Sequence, residues 1–98
     1  MYVFSANATS RDNKSGVEPG QRMPFIVYID FQDLFGAEQL CKVYLINAGF
    51  GDVEIEKRQF LSAEKLTDEA LLRADSALKE ALEKGYVLRM FDEDASLQ

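Results

Sequence analysis

The chain has no histidine and only one cysteine in 98 residues. Without histidine it lacks the commonest general base and the commonest zinc ligand. A Ser or Cys nucleophile would have to be activated by Lys or by a carboxylate. One cysteine excludes an internal disulfide framework. Cys41 lies in a helical pattern beside Leu40, Tyr44 and Leu45 and reads as a small core residue, which fits a reducing compartment. Long apolar runs are missing too: none approaches the roughly 18 residues that span a bilayer. Met1–Ser5 has neither a cationic leader nor an extended apolar stretch, so the expected location is cytoplasmic. Basic residues are in deficit, 11 against 17 acidic, giving a net charge of −6. That balance disfavours nucleic acid and anionic membranes as partners and remains compatible with a basic protein partner.

What is present suits one globular domain over residues 1–98, with 47% hydrophobic and 11% aromatic content. Its clearest signal is the apolar run from Pro24 to Phe31, interrupted only by Asp30. A half-exposed strand would alternate, so the run predicts a central strand buried on both faces. Residues 2–9 alternate weakly and predict a first, half-exposed strand. Between the two, residues 10–23 collect glycine, proline and charge without periodicity and read as a flexible loop.

A first helix is expected over 33–48, with Asp33 as N-cap and Gly49 at the left-handed position beyond its end. Projection at about 100° per residue centres one face on Ala37, Leu40, Tyr44 and Ala48, flanked by Cys41, Val43 and Leu45. Phe35 and Ile46 fall in the polar sector. The Gly49-Phe50-Gly51 spelling is no phosphate loop, because it follows a helix and opens a strand. A third strand follows from Val53 to Phe60, with Glu54, Glu56 and Arg58 on its wet side. A second helix then runs from 63 or 68 to 84, capped by Ser62 or Thr67 and carrying acid–base pairs at Glu69–Arg73, Asp75–Lys79 and Glu80–Lys84. A last strand covers 86–91, and 92–98 form a polar C-terminal tail.

The expected architecture is therefore an α/β (α+β) two-layer sandwich. Its four-stranded mixed sheet would carry both helices on one face, in the order ββαβαβ, one strand removed from a ferredoxin-like arrangement. Parallel crossovers would bring the ends of the second and fourth strands to one edge, assembling Asp30, Asp33, Asp92, Glu93 and Asp94 as candidate ligands for a hard cation. The plainer reading gives Asp33 a capping role, Asp30 a strand end and 92–94 a solvated tail. No catalytic residue and no cofactor is indicated. Phe35, Ile46 and Leu72, exposed if the helices cover one sheet face, join Glu54 and Glu56 as interface candidates.

No motif is specific enough to indicate a family. These absences and surfaces favour a non-enzymatic cytoplasmic protein-interaction module, of the kind that acidic inhibitors, immunity proteins and regulatory subunits represent. The alternatives are a small metal-assisted enzyme of the phosphoester class built on the carboxylate edge, and a homodimeric structural or assembly protein.

Overall fold

The computed structural model describes residues 1–13 and 16–91. Four strands, β1 (Tyr2–Ser10), β2 (Arg22–Ile29), β3 (Phe50–Phe60) and β4 (Tyr86–Met90), form one sheet in the order β3-β1-β2-β4. Every neighbouring pair is antiparallel. The helices are α1 (Leu34–Asn47), α2 (Ala63–Leu66), α3 (Glu69–Ala74) and α4 (Ser76–Lys84).

Side chains on a strand alternate between the two faces of a sheet, so the neighbours on β2 identify what each face contacts. Phe25, Val27 and Ile29 join Phe4, Ala6 and Ala8 of β1 in a core with Ala37, Cys41 and Leu45 of α1. Tyr28, pointing the other way, joins Ala77, Leu78 and Ala81 of α4 in a second core, against which Ile26 and Val87 also pack. The helices therefore lie on opposite faces, and the expected two-layer arrangement with both helices on one face is corrected to three layers. The physical reason is in the connections. β2 and β3 are parallel across β1, so α1 belongs to a crossover of the kind with a fixed hand. β3 and β4 are antiparallel at opposite edges of the sheet, and no such rule directs the helices between them.

The central strand reads as expected. Phe25, Val27, Tyr28 and Ile29 are buried, and Pro24 sits near the strand's start. On β3, two register shifts against β1, at Ser5/Ala6 and Asn7/Thr9, mark bulges. Ala6 faces Ile55 while Ser5 faces Lys57, so Glu56 is the extra residue and the alternation slips by one. Arg58, expected beside Glu54 and Glu56, thereby turns to the α1 side, where its Nε donates to Glu38.

The long second helix is three short ones. Asp68 accepts hydrogen bonds from the amides of Ala70 and Leu71, and Asp75 from those of Ala77 and Leu78. An aspartate satisfied this way starts a new helix in place of continuing the old one. Capping also occupies the Asp75 carboxylate, which pairs with the Tyr28 hydroxyl (2.9 Å) and forms no ion pair with Lys79. Of the three expected acid–base pairs, Glu80–Lys84 forms, at 2.8 Å. The first helix lies where expected, with the Asp33 carboxylate accepting from the Gly36 amide at 2.7 Å and Gly49 at φ 97°.

The connection between β1 and β2 begins after Ser10 and ends before Arg22, so the ends of the expected 10–23 loop belong to strands. Arg11 donates to the Gly49 carbonyl, Gly20 to that of Ser10, and Val17 is buried in the α1-side core. The expected tail at 92–98 lies outside the described residues.

Burial and the Asp75 carboxylate push the Tyr28 hydroxyl from 10.0 up to about 12, against a smaller opposing pull from Arg89. An unfolded chain releases this proton near pH 10 while the folded chain keeps it, so the native state binds more protons in that window. Stability from this group is complete below pH 10 and is lost as pH rises through about 12. Tyr28→Phe is expected to cost about 1–3 kcal/mol at neutral pH. In urea titrations at stepped pH, the gap between wild type and variant should narrow above pH 10. A gap that stays constant would show that the hydroxyl is not held protonated by the fold.

Candidate protein-interaction surface

The α1 helix is built to be apolar on more than one side. Ala37, Cys41 and Leu45 are fully buried against the sheet, and Leu40 and Tyr44 flank them. The Tyr44 ring stacks on Tyr86 of β4, centroids 3.8 Å apart, closing that side of the layer. On the outward side stand Phe35 at 70% exposed, Ile46 at 59% and Val43 at 48%. At about 100° per residue Phe35, Gln39, Lys42 and Ile46 span an arc of roughly 60°, with Val43 about 40° beyond. Leu34 and Phe31 are also exposed at the helix's start. The Phe31 ring packs so close to Gly36 that a Cβ there would lie 2.5 Å from it. Glycine in the first turn thus lets an aromatic ring cover the beginning of the helix.

Formal charge is sparse on this surface. The Glu38 carboxylate is engaged by Arg58, leaving Lys42 as the one formal charge on the outward stripe. Inside the helix, burial pushes the Cys41 thiol from 9.0 up to about 12, reinforced by Glu38 and opposed by Lys42. A thiol so held is almost wholly protonated near neutral pH, which suits a core residue and not a nucleophile.

Phe35 and Ile46 are where the helical projection puts them. Val43 is not: assigned to the flank of the buried face, it is exposed. Leu72 also departs from expectation, being half-buried against the second core. It lines an open cavity of about 430 Å³ with Glu69, Arg73, Ser76 and Lys79. Glu54 and Glu56 are exposed on β3, the first accepting from Arg22 and the second from the Asn7 amide. Glu54 pairs in register with Asn7, on the sheet face away from α1, so the acidic pair and the apolar stripe do not form one surface. Phe31, Leu34 and Val43 are the members that sequence reasoning missed. For Phe31 and Leu34 the available signal was position, just before and at the start of the first helix.

The proposed cation edge does not assemble as expected. β2 and β4 are antiparallel, so their C-terminal ends lie at opposite ends of the pair: Met90 stands beside Phe25, far along β2 from Asp30. Asp33 is occupied as the α1 cap, and Asp30 lines a separate open cavity with Phe31, Gln32 and Asp33. Asp92, Glu93 and Asp94 lie outside the described residues. Among the described residues no three His, Cys, Asp or Glu side chains converge in a metal-ligating group, and no helix is long and apolar enough to cross a membrane.

The chain matches no protein-family model, no curated protein and no solved structure.

If the outward stripe is surface and not core, removing it leaves the dilute monomer intact. Phe35→Ser and Ile46→Ser should each change stability by less than about 0.5 kcal/mol, whereas Leu78→Ala, at a residue 1% exposed, should cost about 2–5 kcal/mol. Denaturant titration of low-concentration samples measures all three. Comparable losses at Ile46 and Leu78 would place Ile46 in the core.

Proposed function

We propose that this protein is a non-enzymatic protein-interaction module whose contact surface is the outward face of α1. The observation that carries the reading is that α1 is apolar on both sides while the sheet covers one. A helix of that kind is ordinarily enclosed by other structure. Single exposed apolar residues need no explanation, but Phe35, Val43 and Ile46 are three exposed apolar side chains on the outward side of one helix. Sparse charge and large apolar side chains are also what the centre of a protein interface requires. The metal-assisted alternative rested on strand ends meeting at one edge, and the antiparallel pairing of β2 with β4 takes that support away.

The test is affinity capture from native lysate, with tagged wild type compared against a Phe35→Glu, Ile46→Glu double variant. A protein enriched on wild type and absent from the variant is the expected result. Equal retention on both, or none on either, would contradict the reading.

A further inference from the structure

The notch between α3 and α4 lies on the opposite side of the sheet from α1 and owes its shape to Asp75. The backbone of that residue is extended, at φ −125° and ψ 94°, so the chain turns between the two helices instead of running on. Glu69, Leu72 and Arg73 share one side of α3 at spacings of three and four, and Ser76 and Lys79 share one side of α4. These side chains line the open cavity of about 430 Å³. Small-molecule sites occupy roughly 300–1,000 Å³, so the notch is large enough for one.

The same break leaves the cations of the cavity without carboxylates. Helical spacing would pair Glu69 with Arg73 and Asp75 with Lys79, and neither pair forms. Asp75 is taken up by the amides of Ala77 and Leu78 and by the Tyr28 hydroxyl, while Arg73 turns its Nε to the Glu69 carbonyl at 3.4 Å. Arg89 of β4 reaches the same place from the sheet, its Nη2 donating to Ser76 Oγ at 3.4 Å. Among the described residues Arg73, Lys79 and Arg89 form no ion pair, whereas Arg11, Arg22, Arg58 and Lys84 each have one. Unpaired cations thus gather at one cavity in a chain of net charge −6, and Glu69 is the one carboxylate among the lining residues. Leu72, packed against the second core, gives the lining an apolar element.

Independently of the α1 reading, we propose that this cavity binds a small phosphate monoester carrying an apolar group. Arg73 and Lys79 hold the phosphate, Arg89 and the Ser76 hydroxyl add to them, and the apolar group lies against Leu72. A monoester brings close to two negative charges and three acceptor oxygens at neutral pH. That set matches a planar guanidinium, an ammonium and a hydroxyl better than a singly charged carboxylate does. The binding groups are side chains, because the first amides of α4 are already satisfied by Asp75.

Phenyl phosphate is the probe. Added to the labelled full chain, it should shift the amides of Leu72, Arg73, Ser76, Lys79 and Arg89 and leave α1 unchanged, saturating with a dissociation constant on the order of 0.1–1 mM. Inorganic phosphate, which lacks the ring, should bind about fivefold more weakly. Arg73→Gln combined with Lys79→Gln should weaken phenyl phosphate about tenfold. Lys42→Gln combined with Lys57→Gln, an equal loss of charge elsewhere, should change it less than about twofold. Glu69→Gln removes the lining carboxylate and should tighten binding about 2–5-fold, a gain that no misfolded variant can imitate. Equal weakening in the two double variants would reduce the effect to net charge and overturn the proposal. Equal affinity for inorganic phosphate, or no saturable shift up to about 10 mM phenyl phosphate, would overturn it as well.

Discussion

The structure depends on one strand being covered from both sides. β2 carries Phe25, Val27 and Ile29 toward α1, and Tyr28 with Ile26 toward α4. Neither face of so apolar a strand can be left in water at low cost, since each fully buried large side chain contributes about 1.5–3 kcal/mol. Two helical layers follow from that requirement. The antiparallel return from β3 to β4 is what allows the second layer to reach the face that α1 does not occupy. Tyr28 secures the arrangement with a polar contact, its hydroxyl held by the same carboxylate that starts α4. Strand, helix start and second core thus share Asp75.

Three layers in a chain this short leave little material for outer surfaces. The inner side of α1 is filled by small and medium side chains, Ala37, Cys41 and Leu45, over Ala6 and Ala8 of β1. Phe35 and Ile46 stand on the other side, where no further layer exists among the described residues. β3, the long edge strand, is treated differently. It carries alternating charges and two bulges, devices that discourage strand addition at an open edge. The surface thus distinguishes an edge defended against pairing from a helix face left apolar.

Much of this was legible in the chain. The identity of β2 as a central strand, the Asp33 cap, the Gly49 stop, and the outward position of Phe35 and Ile46 all follow from local rules of periodicity and capping. What was not legible depended on pairing direction. Handedness constrains a parallel crossover, and from sequence the last connection reads as one. The helices therefore fell on one face, and the five carboxylates at one edge. The break of the second helix at Asp68 and Asp75 was hidden because the apolar stripe through Leu71, Leu78 and Leu82 continues across it. The slip at Glu56 was hidden for a related reason. An inserted residue in a charged stretch leaves no mark on a polar–apolar alternation, so Arg58 passed for a residue of the open face although it reaches Glu38. Val43 lies near the boundary of the buried arc, where a projection cannot separate half-covered from exposed.

The central claim is that the outward face of α1 is a contact surface. Amide chemical shifts of the labelled protein, followed as unlabelled native lysate is added, test it most directly, because they report the surface without any substitution. The account predicts progressive, saturable shifts centred on Phe35, Gln39, Lys42, Val43 and Ile46, with β3 unchanged. Shifts centred on the β3 edge from Glu54 to Phe60, or spectra that do not change as lysate is added, would contradict it.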